Sequence, residues 1–136
     1  HARCELRRIV TQLADDYRAI KNGKAVTIEV EPGAELWVEA PPALPTIVVS
    51  NLLRNALEHT TQGRVQISIA GRTLRIDDTG EGIAADAQAR IFTRGYTTKA
   101  GGGMGLHIAK RICDRFGWRL GISSTPGVGT TASVEF

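Results

Sequence analysis

The sequence predicts an α+β fold, a two-layer sandwich in which helices lie on one face of a mixed, mainly antiparallel sheet. Segments with apolar residues at every second position occur in pairs joined by turn residues, and segments with helical periodicity separate these pairs. A hydrophobic content of 42% in 136 residues is enough for one core, and a charged content of 23% argues against disorder. Hairpins that alternate with helices are typical of this architecture, and we expect residues 1–136 to form a single domain.

The first half of the chain predicts a helix, a hairpin and a second helix. Apolar residues at helical spacing predict the first helix over about 5–21, where an Asn-Gly pair ends it. Alternating apolar residues predict strands over 26–30 and 35–39, and the Pro-Gly turn between them predicts that they pair as a hairpin. Three prolines then introduce a second helix, which runs to about Thr60.

The second half predicts a hairpin, two helices and a final hairpin. The segment between the two helices looks irregular, because it holds three consecutive glycines. The predicted bounds are about 65–78 for the hairpin, 85–92 and 104–116 for the helices, 93–103 for the irregular segment and 119–136 for the last two strands.

Charge, cysteine content and hydropathy exclude several classes of protein. The formal net charge of +3 is spread along the chain without a dense Lys/Arg run, so we expect no nucleic-acid partner. Cys4 and Cys113 lack metal-ligand spacing, and Cys113 falls in a helical apolar pattern that predicts a buried, reduced thiol. No apolar run approaches the ~20 residues that cross a bilayer, so we expect the domain itself not to be membrane-inserted, although a parent protein could be.

Two asparagines four residues apart, Asn51 and Asn55, share one face of the second helix. Asparagine is a poor residue for a helix interior, because its side chain competes with the backbone for hydrogen bonds. Side-chain carbonyl oxygens suit Mg²⁺, which also binds substrate phosphates. The alternative is a pair of solvated asparagines or a hydrogen bond from the helix to a loop.

The segment Asp-Thr-Gly-Glu-Gly at 78–82 follows a predicted strand. Its glycines permit a tight turn where the backbone can approach a ligand. A buried Asp78 could accept a hydrogen bond from an exocyclic amine such as that of adenine, whereas Asp77 lies on the opposite, solvated face of the strand. The alternative is an ordinary turn.

Two more glycine-rich segments complete the set. The segment at 101–106 runs straight into a helix, where backbone N–H groups and the helix dipole favour a phosphate. It lacks both the βαβ surroundings of a dinucleotide fingerprint and the Gly-Lys-Ser/Thr of a P-loop, and a flexible hinge is the alternative. The segment Gly-Val-Gly-Thr at 127–130 is either a simple hairpin turn or a place where a threonine hydroxyl reaches a nucleotide.

In combination these motifs resemble the ATP-binding domain shared by DNA gyrase, the large heat-shock chaperones, histidine kinases and MutL repair proteins. The resemblance covers nearly the whole chain, its spacing is closest to the histidine kinases, and it implies the Bergerat fold. The motifs in order are Asn-x-x-x-Asn from Asn51, Asp-x-Gly-x-Gly from Asp78, Ile91-Phe92, Gly-x-Gly-x-Gly-Leu from Gly101, and Gly-x-Gly-Thr ending at Thr130.

The resemblance implies a role for each matching residue towards ATP and Mg²⁺. Asn55 would coordinate Mg²⁺, Asn51 would support the phosphates, and Asp78 would hold the adenine amine. The other residues expected around the base are Gly80, Gly82, Ile83, Ile91 and Thr130. The residues expected along the phosphates are Gly101, Gly103, Met104, Gly105 and Leu106, and 93–103 would form an ATP lid.

The phosphate side departs from the family pattern at one position. Many relatives carry a lysine where this chain has Glu58, which cannot contact phosphate in the same way. His59 is a candidate phosphate contact or proton donor, or else a polar helix end. We expect Lys99 or Arg94 of the lid to supply the missing positive charge and stabilise the γ-phosphate, although either could be a solvated cation.

The same resemblance predicts a protein-histidine kinase activity. The ATP hydrolases usually carry a glutamate as general base at position 51, and asparagine cannot take that proton, so we expect slow hydrolysis. None of His1, His59 and His107 has the sequence context of the family's phosphate acceptor, so an upstream dimerisation and histidine-phosphotransfer domain would supply it. A response regulator would then receive the phosphate, and the parent would be a bacterial inner-membrane sensor with this domain in the cytoplasm. The alternatives are a serine kinase of the anti-sigma type and a non-catalytic ATP-binding signalling module.

Overall fold

Helices and strands follow one another nearly in the predicted order. The computed structural model describes residues 2–20, 25–92 and 105–136. The strands are β1 (Cys4–Glu5), β2 (Ala25–Val30), β3 (Trp37–Val38), β4 (Gln62–Ala70), β5 (Thr73–Asp78), β6 (Arg119–Thr125) and β7 (Gly129–Glu135). The helices are α1 (Leu6–Ile20), α2 (Ala43–Glu58), α3 (Ala85–Gln88) and α4 (Gly105–Phe116).

A five-stranded mixed sheet forms one layer, with the strands in the order β2-β4-β5-β7-β6. β2 runs parallel to β4, and every other neighbouring pair in this sheet is antiparallel. The predicted hairpins β4–β5 and β6–β7 are therefore confirmed. β5 lies at the centre of the sheet, so residues at its end are surrounded by neighbouring elements.

The predicted hairpin between 26–30 and 35–39 is wrong. β3 is only two residues long and pairs with β1, with Cys4 opposite Val38, in a separate two-stranded sheet. β2 instead joins the main sheet through β4, with Ile28 opposite Val65. Apolar alternation identifies a strand, but it does not identify the partner with which that strand pairs.

Arg7 of α1 binds the main chain on both sides of the Pro-Gly turn between the two segments. Its guanidinium donates hydrogen bonds from Nη1 to Glu31 O at 2.7 Å and from Nε to Ala34 O at 2.9 Å. The main-chain N–H of Glu31 donates to Ile67 O of β4 at 2.9 Å. Main-chain groups that a local hairpin would have paired with each other therefore bind α1 and β4.

One face of the sheet is apolar and packs against the helices, as predicted. Side chains at alternate strand positions are buried there, and they meet buried residues of α1, α2 and α4. The buried strand residues are Val26, Ile28, Val65, Ile67, Leu74, Ile76, Ala132 and Val134. The opposite face is polar and includes Asp77, which accepts hydrogen bonds from Thr131 and from Arg75.

Neither cysteine is exposed. Cys4 and Cys113 are both free thiols in the hydrophobic core, as predicted for Cys113. Burial raises the pKa of the Cys113 thiol to about 11. Within the described ranges, no helix has the length and apolar character needed to cross a membrane.

Candidate nucleotide-binding site

Asp78 ends the central strand β5 with a buried carboxylate. It is 8% exposed, and its Oδ1 accepts hydrogen bonds from Gly80 N at 2.9 Å and Thr130 N at 3.3 Å. Burial raises the pKa of this carboxyl, and the two N–H donors offset part of the rise. Both bonds use Oδ1, and no other described residue donates to Oδ2, which leaves that oxygen able to accept from a ligand.

The glycines after Asp78 are needed for close packing inside the protein. A side-chain carbon on Gly80 would lie 2.1 Å from His59 O, the main-chain oxygen at the end of α2. Gly82 has a φ of +76°, and a side-chain carbon there would lie 2.4 Å from Thr125 O of β6. The predicted contact of Gly80 and Gly82 with a base stays a prediction, because packing alone accounts for both glycines.

Thr130 lies beside Asp78 on the buried face of the sheet. The two residues are directly opposite each other in β7 and β5, and Thr130 is 5% exposed. Thr130 Oγ1 lies 2.8 Å from Ser124 Oγ, and Ser124 Oγ accepts from Ile83 N at 2.7 Å. The loop after β5 is therefore joined to the final hairpin through Ser124.

Gln88 strengthens the same connection. Its Nε2 donates to Ile83 O at 2.9 Å and to Ser124 O at 3.0 Å, and Gly127 N donates to Glu81 O at 2.8 Å. Sequence reasoning missed both Ser124 and Gln88. A hairpin register that sets Ser124 opposite Thr130 was the available signal for Ser124, whereas no local pattern indicates Gln88.

Asn51 and Asn55 lie one turn apart on α2, as predicted. Asn51 is buried, and its Oδ1 accepts a hydrogen bond from Arg54. A side-chain carbon on Gly105, the first residue of α4, would lie 3.0 Å from this oxygen. The half-buried Asn55 makes no side-chain hydrogen bond with any other described residue, and the roles of both asparagines towards phosphate and metal stay predictions.

His59 follows α2 and holds the loop after β5. It is buried, its Nδ1 lies 3.1 Å from Glu81 Oε1, and its main-chain oxygen accepts from Glu81 N at 3.0 Å. A positive charge on the imidazole of His59 would lower the pKa of Asp78, because the two groups lie close together. The roles of phosphate contact and proton donor stay predictions.

Three predicted apolar contacts belong to the core. Ile83 and Ile91, together with Leu106 of α4, are buried among the core side chains. Contact between adenine and either isoleucine is therefore untested. The whole predicted lid, 93–103, lies outside the described residues, and so do five further predicted site residues: Arg94, Lys99, Gly101, Gly103 and Met104.

The described site residues meet where four elements end or begin. β5 ends at Asp78, β7 begins beside it, α2 ends at the loop that follows β5, and α4 begins against α2. The buried carboxylate of Asp78 and the two asparagines thus lie on elements in direct contact.

A protein-family model shows the family to which the chain belongs. The model described as "Histidine kinase-, DNA gyrase B-, and HSP90-like ATPase" matches residues 40–136. The chain belongs to this family. Its motifs lie within the matched residues, and the resemblance to ATP-binding domains is confirmed.

Relatives within the family are sensor kinases. The alginate biosynthesis sensor protein KinB of Pseudomonas aeruginosa is 32% identical over 138 residues, which cover 94% of this chain and 23% of KinB. Across the first curated relatives, the chain spans between 8% and 41% of their lengths. The prediction that this chain is related to the histidine kinases, rather than to other members of the family, is therefore confirmed.

Solved structures confirm the Bergerat fold of the histidine kinase ATPase domains. The mycobacterial sensor histidine kinase MprB superposes with a TM-score of 0.84 at 21% identity, covering 98% of this chain and 95% of that one. Full-length ShkA in complex with AMPPNP gives a TM-score of 0.78 at 28% identity, covering 98% of this chain and 30% of that one. The chain is thus a catalytic ATP-binding domain of the sensor histidine kinase type.

Proposed function

We propose that this domain binds ATP with Mg²⁺ and transfers the γ-phosphate to a histidine that lies outside these 136 residues. The observation that carries the proposal is the buried Asp78, whose Oδ1 is held by two main-chain donors while Oδ2 stays able to accept from a ligand. A desolvated acceptor at this place suits the exocyclic amine of adenine.

On the phosphate side, the two asparagines would bind different groups. Asn51 gives its oxygen to Arg54, so its N–H groups would donate to phosphate oxygens. The carbonyl oxygen of Asn55 would then be a ligand of Mg²⁺, which prefers oxygen donors and neutralises phosphate charge when bound. Lys99, Arg94 and the glycines of 101–105 complete this part of the proposal.

The domain keeps ATP intact until an acceptor arrives. An asparagine at position 51 cannot act as general base, and Arg54 already occupies its oxygen. Transfer of a phosphoryl group requires mainly positioning and electrostatic stabilisation, which an incoming histidine nucleophile can exploit. Purified domain should therefore hydrolyse ATP very slowly, and a rapid release of phosphate without an acceptor would contradict the proposal.

The partners follow from the kind of relatives this chain has. An upstream dimerisation and histidine-phosphotransfer domain would provide the acceptor, and a response regulator would receive the phosphate from it. The sensor proteins among the relatives support a cytoplasmic domain of a bacterial membrane sensor.

Calorimetric titration with ATP, ADP and GTP, with and without Mg²⁺, tests the nucleotide site. We expect Asp78→Asn to weaken binding of both adenine nucleotides, and Asn55→Ala to remove mainly the Mg²⁺-dependent part. Negligible effects of both substitutions would refute the site assignment.

Radiolabelled ATP and an added phosphoacceptor domain test the transfer. We expect acid-labile label on the acceptor, as phosphohistidine gives. Acid-stable label would indicate a serine kinase of the anti-sigma type, and label that never leaves ATP would indicate a binding module.

A further inference from the structure

Ser124 Oγ lies within hydrogen-bond distance of three groups at once. Ile83 N donates to it at 2.7 Å, Gly129 O lies 3.0 Å away, and Thr130 Oγ1 lies 2.8 Å away. Ser124 is on the side of β6 that faces the buried layer, directly opposite Thr130. The three contacts join the loop after β5 to the start of β7.

When all three contacts are hydrogen bonds at the same time, hydrogen-bond accounting assigns a direction to each. A serine hydroxyl has one proton to donate and two lone pairs that accept. Ile83 N is only a donor and Gly129 O is only an acceptor, so the serine proton goes to Gly129 O. The third contact is then a bond only if Thr130 donates its own hydroxyl proton to Ser124.

Thr130 is left with lone pairs alone for any other partner. Asp78, its neighbour across the strands, likewise offers only an acceptor while it is ionised. Side chains directly opposite on adjacent antiparallel strands have their Cβ atoms about 5 Å apart, so one planar group can meet both. Adenine presents an amine donor at the position where guanine presents a carbonyl acceptor.

We propose that Ser124 is a specificity-determining residue, which fixes the Thr130 hydroxyl as an acceptor and so disfavours guanine nucleotides. The inference rests on the proposed ATP site and adds a residue that need not touch the nucleotide. Without Ser124, the Thr130 hydroxyl can turn and donate to a guanine carbonyl. Discrimination between the two bases then falls, although Asp78 still contributes its part.

The test is a comparison of Kd for ATP and GTP in the wild type and in Ser124→Ala. We expect the ratio of the GTP Kd to the ATP Kd to fall about fivefold, the effect of one neutral hydrogen bond. If Ser124 had a purely structural role, its substitution would weaken the binding of both nucleotides equally. An unchanged ratio of the two Kd values would therefore overturn the inference.

Two further variants make the test specific. Ser123→Ala removes the same hydroxyl from the exposed neighbouring position of β6 and should leave the ratio unchanged. In a Thr130→Val background, Ser124→Ala should no longer change the ratio, because the hydroxyl through which it acts is gone. A full effect of Ser124→Ala in that background would also overturn the inference.

Folding and ATP binding are checked separately. If Ser124→Ala does not fold, Ser124→Cys retains most of the side-chain volume with a weaker donor and acceptor, and the ratio should fall in the same direction. A wild type that binds no ATP would refute the proposed function itself. Normal ATP binding with an unchanged ratio in the variants would refute only the role of Ser124.

Discussion

At the scale of single residues, Asp78 combines a cost to stability with a use in binding. Burial raises the pKa of its carboxyl, so the folded chain holds this proton more tightly than the unfolded chain. The contribution of Asp78 to stability is therefore greatest at low pH, and it is lost as the pH rises through the folded-state pKa. The hydrogen bond that Asp78 would accept from adenine is stronger with the ionised form, so binding has the opposite pH dependence.

Asp78→Asn should separate these two properties. We expect ATP affinity to fall by ~1–3 kcal/mol, because the amide loses the charge that strengthens the bond to the base. The free energy of unfolding at pH 7 should be unchanged or higher, because a desolvated charge is removed while an oxygen remains for Gly80 N and Thr130 N. Urea denaturation and calorimetry measure the two quantities.

The matched control is Asp77→Asn, which changes the neighbouring carboxylate on the polar face of the sheet. It should leave ATP affinity unchanged. The stability difference between wild type and Asp78→Asn should increase in favour of the variant as the pH rises from below the ordinary pKa of an aspartate to neutral pH. A constant difference would contradict the raised pKa of Asp78.

At the scale of elements, the helices and the hairpins of adjacent strands could be predicted from the sequence, whereas the pairing of strands far apart in the sequence could not. The helix predicted over 5–21 is Leu6–Ile20, and both hairpins whose strands adjoin in sequence form as expected. The sequence pattern predicts the wrong partner for β2, because its parallel pairing with β4 bridges more than thirty residues of sequence. Arg7 of α1 binds main-chain oxygens on both sides of the turn after β2, and such a contact from a distant helix leaves no signal in the strand pattern.

Arg7→Ala should destabilise the fold through this turn. Arg7 donates to the main-chain oxygens of Glu31 and Ala34, and we expect a loss of ~1–2 kcal/mol because these bonds are partly open to solvent. Urea denaturation measures the loss. Arg8→Ala, at the exposed neighbouring position of α1, should cost much less, and equal losses would remove the special role of Arg7.

Gly80→Ala should damage the packing of α2 against the loop after β5. A side-chain carbon there would overlap His59 O, so the loop or the end of α2 must move, at an expected cost of ~1–3 kcal/mol. Thermal unfolding measures it. Gly121→Ala in β6 is the control, because its added carbon would meet only Ser133 Oγ at an ordinary 3.5 Å. A fully stable Gly80→Ala protein would show that this contact is not needed.

At the scale of the whole molecule, the site could be predicted in outline because its motifs are local, whereas their connections are not. Asn51, Asp78 and Thr130 each belong to a short pattern, and the order of those patterns indicated the family. Ser124 and Gln88 act across elements distant in sequence, so only the folded chain shows their partners.

The rate at which a reagent modifies the Cys113 thiol measures how often the domain opens. It is buried in α4, and with a pKa of about 11 its thiol stays protonated at neutral pH. We expect very slow reaction with a thiol reagent at pH 8, slowed further by saturating ATP and Mg²⁺, because a ligand of the native state lowers the population of open forms. Mass spectrometry locates the label, and rapid labelling of Cys113 would contradict its burial.

The peptide groups on both sides of Glu81 are fixed from opposite directions. Its N–H donates to His59 O after α2, and its C=O accepts from Gly127 N in the final turn. The wall that would face the purine is thus assembled before any ligand arrives, and docking of the base there should cost little conformational entropy. Adenosine without phosphates should therefore bind with a smaller entropic penalty than the complete nucleotide.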